Sequence, residues 1–232
     1  MYKYEIIKKI EEFAPLETQE EWDCSGWGVN VDGYEDIRKI MLCLTVTEDI
    51  IKQAKEQDCD MIVSHHPCFY IPFEWSDINI YCAHTNLDKA KGGTTDTIIE
   101  KLGLSKYKIS IEHDFLRMVQ LDVPVSISDF SKMIKQISPN ARLVNNRNIK
   151  EFKKIAFCAG SGSEFIKDAQ EFGADCLVTG DLKFHTALDS EIAVYDAGHF
   201  ENEVLVLPVF ERIIGSDVEL VYADEKSPFS QI

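Results

Sequence analysis

Apolar and polar positions along the chain follow two alternating periods. Residues 3–13 place Ile6, Ile7, Ile10 and Phe13 on one helical face, and Pro15 ends that helix. The apolar run Ile40–Val46 predicts a buried strand, and Glu48–Gln57 a helix. Two shorter runs, Met61–Ser64 and Ile78–Ala83, read as buried strands, with a helix near Thr95–Leu102 behind them. Segments 106–112 and 115–123 alternate as an edge hairpin would. Ser128 is placed to cap a helix reaching Ile137, and Ala141–Asn145 reads as a strand. The order then resumes with strand Lys154–Ala159, helix Glu164–Phe172, strand Asp175–Thr179, a short helix near Lys183–Leu188 and strand Ile192–Tyr195. A helix starts near His199, and Pro208 either kinks it or marks a boundary. Asp217–Ala223 gives the last strand, and the tail after Asp224 reads as frayed. The segment EEWDCSGWGVN (20–30) reads as a loop, either packed or lining a pocket mouth.

Strands alternating with helices predict an α/β fold. A shift of the chain by 115 residues lays residues 39–63 over 154–178 without a gap, with nine of 25 positions identical. The same offset carries His84 onto His199 and Asp88 onto Glu203. The expected architecture is therefore two similar, duplicated α/β lobes, residues 1–125 and 126–232, with a shared site in the cleft between them. The repeat is broken at one informative place: His65-His66 lies over Gly180-Asp181, which makes the expected site asymmetric.

Composition narrows the class. The formal net charge of −16 argues against nucleic acid, whose phosphates need Lys and Arg. An anionic ligand would need a local cation, and a bound divalent ion is the strongest one available. The seven cysteines form no C-x-x-C pair and several sit in apolar runs, which predicts reduced thiols in a cytoplasmic protein. No run of about eighteen apolar residues exists, so no membrane-spanning helix is expected.

The candidate chemistry gathers where the two buried strands end. His65 and His66 follow the first, and His84 and Asp88 the second, at the strand ends where open α/β sheets keep their sites. His199 and Glu203, four apart on a helix, share a face. Imidazole with carboxylate is the ligand set of hydrolytic Zn, Fe, Mn or Co centres. Adjacent histidines leaving a strand point in different directions, which suits two neighbouring ions better than one. Five or six such ligands predict two divalent metal ions per chain with a bridging water or hydroxide, the alternative being a mononuclear structural site. Asp181 and His185 are either supporting pocket residues or, for Asp181, a helix cap. Cys68 reads as packing, and His113 as an ordinary surface or core histidine.

The stretches IVSHHP, AHTNLDKAKGG, LVTGDLKFH and DAGHFENE, in this order, resemble the Nif-three-like family, whose members are also described as homologues of type 2 GTP cyclohydrolase 1. EEWDCSGWGV extends the resemblance to the N-terminus, and the short 106–150 segment matches the form without an inserted domain. The resemblance implies two similar α/β lobes around a dinuclear centre and assembly into a homohexameric ring. It implies His65, His66, Asp88, His199 and Glu203 as metal ligands and His84 as a catalytic residue lining the same site. Cys24, Trp27 and Thr45 depart from the family's usual residues. The implied activity is hydrolysis of the GTP imidazole ring with formate release. Two other readings accompany it: a phosphoesterase using the same metals, and a non-enzymatic metal-loaded ring acting as a regulatory scaffold. Lys89 and Lys183 are the nearest cations in sequence for a substrate phosphate.

Overall fold

The computed structural model describes residues 1–230. In chain order the elements begin with helix α1 (Lys3–Phe13), strands β1 (Gly26–Val29) and β2 (Lys39–Cys43), helix α2 (Glu48–Glu56), and strands β3 (Met61–Ser64) and β4 (Asn79–Cys82). Helices α3 (Thr85–Lys89) and α4 (Thr94–Lys101) follow, then β5 (Lys108–His113), β6 (Leu116–Ser126), α5 (Ile127–Ile134), β7 (Arg142–Val144) and β8 (Glu151–Phe157). The remainder is α6 (Ile166–Glu171), β9 (Cys176–Thr179), α7 (Phe184–Asp189), β10 (Ala193–Asp196), α8 (His199–Glu203), α9 (Leu207–Ile214) and β11 (Glu219–Tyr222).

The chain divides into two compact units, Met1–Gly93 with the segment from Val206 onward, and Thr94–Leu205. The boundary expected at 125/126 is not where the contacts divide, because β6 runs through it and pairs with both β5 and β8. The C-terminal segment returns to the first unit for an equally simple reason: β11 pairs in parallel with β2 from Glu219↔Lys39 to Tyr222↔Leu42.

The first unit is built on a five-stranded sheet of order β1-β4-β3-β2-β11. Strands β3 and β4 are buried along their whole length, as the uninterrupted apolar runs demand of parallel strands covered on both faces. Met41, Cys43, Ile62 and Ile80 pack with Ile50, Ile51 and Ala54 of α2 in one core. Thr47 starts α2 by accepting from the Ile50 N–H, and Glu48 and Asp49 sit in its first turn, where the helix dipole favours acids. The loop expected at 20–30 contains a strand that its glycines concealed: β1 pairs antiparallel with β4, with a bulge between Trp27 and Val29.

The second unit carries a six-stranded sheet of order β5-β6-β8-β9-β10-β7. The β5–β6 pair is the expected antiparallel hairpin, and β8, β9 and β10 run parallel. Phe130, Phe152 and Tyr195 meet edge to face in the core on one side of the sheet. Met118, Ala156, Leu177 and Val194 face a second core with Ile166 and Ala169. Helix α5 is capped by Ser126, whose hydroxyl accepts from Asp129 N at 3.1 Å, rather than by Ser128. Pro208 marks a boundary: a 3-10 turn at Val204–Val206 ends and α9 begins, with the proline in its first turn, where no N–H is missed.

The repeat has a counterpart within each sheet. β2 and β3 pair as Ile40↔Met61, Met41↔Ile62 and Leu42↔Val63; β8 and β9 pair as Ile155↔Cys176, Ala156↔Leu177 and Phe157↔Val178, the same register 115 residues on. Asp60 accepts from the N–H groups of Arg38 (2.8 Å) and Lys39 (3.2 Å); Asp175 does the same for Lys153 (2.7 Å) and Lys154 (2.9 Å). The third strands differ by one residue, Met61↔Asn79 against Cys176↔Ala193. No helix among the described residues is long and apolar enough to cross a membrane.

Candidate metal centre

His65 and His66 leave the carboxyl end of β3, and His84 leaves that of β4. In the first unit these three histidines present ring nitrogens that all lie within 4.8 Å of one another. Two nitrogens bound to one zinc at about 2.0–2.1 Å each end up to about 4 Å apart, so small side-chain adjustments close the set on an ion. His65 is fully buried, and its Nε2 lies 3.4 Å from Oδ1 of Asp88, which α3 brings back one turn after His84.

The far nitrogen of each ring decides which atom faces a ligand. His65 Nδ1 lies 2.9 Å from the carbonyl oxygen of Ala83, which only accepts, so Nδ1 carries the proton and Nε2 the lone pair. His84 Nδ1 lies 2.9 Å from Asp23 Oδ1, with the same consequence. His66 Nδ1 is held at 2.6 Å by the Thr45 hydroxyl. Metal-binding histidines are oriented in this way, with the second nitrogen on a carboxylate, a carbonyl or another polar group. Asp23 is itself tied in place, accepting from Thr85 N at 3.0 Å and Ser25 Oγ at 3.0 Å. Burial pushes its carboxyl upward, but hydrogen bonds from His84 and Thr85 outweigh that and hold it well below the usual carboxylate range. An ionised Asp23 is what fixes the His84 tautomer.

In the second unit α8 starts at His199, after Gly198 at φ 79°, and its first turn brings Glu203 back toward the histidine. His199 Nε2 lies 2.8 Å from Glu203 Oε2, and its Nδ1 lies 2.7 Å from Asp181 Oδ2. Both ring nitrogens donate to carboxylates, and the Glu203 hydrogen bond leads in lifting the imidazole pKa to about 9 against the cost of burial. Gly160, at φ +60°, has no side chain for a clear reason: a Cβ there would fall 2.2 Å from Glu203 Oε1.

The residues singled out by sequence fall into two classes. His65, His66, His84 and Asp88 come together in the first unit, and His199, Glu203 and Asp181 in the second. Asp181 supports a ring and caps nothing, since α7 is preceded by Lys183 with no side-chain cap. His185 is exposed against Phe184, and His113 stacks on Phe115 and tilts against Phe165. Lys89 pairs with Glu20 at 2.5 Å, and Lys183 is exposed. Burial pushes the Cys68 thiol up, in keeping with a packing role. Asp23 and Thr45 were missed as supports because nothing in the spacing ties position 23 to 84, or 45 to 66.

The profile of the Duf34/NIF3 (NGG1p interacting factor 3) family matches residues 1–228. The chain belongs to that family. A Clostridium perfringens relative named GTP cyclohydrolase 1 type 2 homolog is 35% identical, covering 98% of both chains. Among solved structures, reduced HcgD from Methanocaldococcus jannaschii is 28% identical with a TM-score of 0.82, covering 97% of this chain and 98% of that one. A Bacillus cereus protein related to NIF3 shares the fold at a TM-score of 0.87 and 19% identity, covering 100% and 99%. Its place in this family and its mixed α/β fold with two sheets agree with what the motifs implied.

Proposed function

We propose that the imidazoles and carboxylates of both units, His65, His66 and Asp88 with His199 and Glu203, pool to hold two divalent ions, and that the loaded protein is a hydrolase. The leading substrate is GTP, opened at the guanine imidazole ring with loss of formate, and His84 faces the substrate. The observation that carries the reading is the anchoring of four histidine Nδ1 atoms on Ala83, Thr45, Asp23 and Asp181, with Nε2 of His65 and of His199 turned toward a carboxylate, Asp88 at 3.4 Å and Glu203 at 2.8 Å, as ligands around an ion would be. A fully buried imidazole beside a carboxylate, as at His65 and Asp88, is an expensive arrangement for a purely structural core. The donor set is neutral nitrogen and carboxylate oxygen, which suits zinc, iron or manganese.

Two ions in such a centre lower the pKa of coordinated water and clamp an oxyanion or phosphate. The chain's own contribution is orientation: fixed tautomers at His65 and His84, and carboxylates carried by α3 (Asp88) and at the end of α8 (Glu203). The name carried by the Clostridium perfringens relative supports the substrate class. Assembly into a homohexameric ring, with a small-molecule substrate and no nucleic acid, belongs to the same proposal.

Elemental analysis of untagged protein followed by incubation with GTP tests it. Two ions per chain with release of formate and a pterin-like fluorophore support it. Phosphate release from generic esters without formate replaces the cyclohydrolase reading with a phosphoesterase. Turnover of neither sinks the hydrolase reading and leaves the metal-loaded scaffold.

A further inference from the structure

Trp22 stands beside the imidazole cluster of the first unit in a way that packing does not require. Its side chain is 63% exposed, although a buried indole contributes more to a core than almost any other group. Its ring centroid lies 6.1 Å from that of His84 at an interplanar angle of 77°. The backbone on either side is pinned to the same segment that carries the cluster. Glu20 N donates to Thr85 Oγ1 at 2.9 Å, and Asp23 holds His84 and Thr85. Asp23 N also closes a turn on Glu20 O at 3.0 Å. The indole is thus a wet aromatic group at the rim of a polar site, carried on backbone pinned to that site.

We infer that Trp22 is a binding residue: it stacks on the flat heterocycle of a ligand whose polar atoms engage the imidazole cluster, a purine nucleotide being the first case. This rests on the reading of the cluster as a ligand centre given above and narrows its substrate class to planar aromatic rings. An indole face accepts any base by stacking, without hydrogen-bond readout, so the residue sets ring preference rather than base identity. The two rings stand nearly perpendicular, and the exposed indole leaves aromatic surface on which a flat ring can lie.

The test uses zinc-loaded full-length protein and three probes: GTP, guanosine, and inorganic triphosphate as the ligand without a ring. Metal content by elemental analysis and binding by calorimetry are measured for the wild type, Trp22→Ala and Trp22→Phe. Trp22→Ala should keep its metal, lose about 5- to 100-fold in affinity for GTP and guanosine, and leave triphosphate binding unchanged. Trp22→Phe should retain most of the affinity, and GTP should quench wild-type fluorescence more than that of Trp22→Phe. Equal binding of GTP by the wild type and Trp22→Ala overturns the inference, as does an equal loss for triphosphate, or no binding of any ring compound by the wild type. Formate release by Trp22→Ala with unchanged KM removes this role and spares the hydrolase reading. Ring binding that depends on Trp22 without formate release does the reverse.

Discussion

In the first unit β3 is followed by His65 and His66; 115 residues on, β9 is followed by Gly180 and Asp181. The strand registers behind these ends are the same. What differs is the space in front of them. A Cβ at Gly180 would meet His199 N at 2.9 Å and Asn202 Nδ2 at 3.0 Å, so no imidazole fits where the first unit has one. The supports are redistributed accordingly. His199 takes its Nδ1 partner from the strand end, Asp181, whereas His84, its counterpart, takes Asp23 from a loop 61 residues away in sequence. The same job, a carboxylate on Nδ1, is filled from different places in the chain. A shared scaffold therefore fixes where the paired histidine stands, but not what holds it.

The sharpest way to break the comparison is to remove one histidine from each side. His65→Ala should abolish metal binding while far-ultraviolet circular dichroism reports a folded protein. His199→Ala should also lose metal if the two sets are pooled. Two ions per chain retained by His65→Ala would refute the ligand assignment. One ion retained by His199→Ala would show that the first unit binds alone.

The supports come next. Asp23→Asn and Asp181→Asn keep shape but lose the charge that holds an Nδ1–H, and each should cost about 10–100-fold in metal affinity. A loss confined to Asp23→Asn would show that the equivalence of the two carboxylates is superficial. Gly160→Ala should destabilise the second unit by about 1–3 kcal/mol in thermal unfolding, through positive φ and collision with Glu203. Its counterpart at the same offset, Thr45, already carries a side chain and uses it on His66.

Proton uptake separates the units further. The His199 pKa is raised, so in metal-free protein its pairing with Glu203 and Asp181 contributes stability fully present below about 6.5 and lost as pH rises through about 9. Because that proton must leave for an ion to bind, affinity should climb over the same interval. Imidazole resonances of metal-free protein followed by NMR check this; a His199 midpoint at or below 6.5 would contradict the pairing.

Much of this was legible from pattern alone. Met61–Ser64 emerged with its observed bounds because a buried parallel strand is a continuous apolar run, and Lys3–Phe13 because its isoleucines keep helical spacing. His84, Asp88, His199 and Glu203 were legible as candidates because a repeat marks paired positions without any need for coordinates. Of the supports, Asp181 stood out in LVTGDLKFH, but Asp23 and Thr45 did not, since a hydrogen bond between Asp23 and His84 leaves no trace in local sequence. Strand β1 was hidden by Gly26 and Gly28, whose missing side chains leave only pairing with β4 to define it. The division at 93 and 206 was hidden for a related reason: β11 joins β2 across the whole length of the second unit, a contact that periodicity does not report.

The smallest expected effect concerns the tail, read from sequence as frayed. Its described residues, to 230, have no regular structure after β11, yet Asp224 N donates to Gln53 Oε1 at 2.9 Å, and the Glu225 carboxylate accepts from the N–H groups of Leu44 and Thr45. Thr45 in turn holds His66. In the second unit the amide at the same offset, Gly160 N, is held at 2.9 Å by the Asn202 side chain instead. Burial pushes the Glu225 carboxyl up while the two N–H donors pull it down, so part of its worth is spent on desolvation. Glu225→Gln leaves one good acceptor and should cost only about 0.5–1.5 kcal/mol, with a metal affinity lowered by less than about tenfold. Asn202→Ala, which strips a buried amide of its acceptor, should cost more, about 1–3 kcal/mol. A Glu225→Gln variant that loses its metal as fully as His65→Ala would mean that the tail is part of the ligand cage rather than a brace behind it.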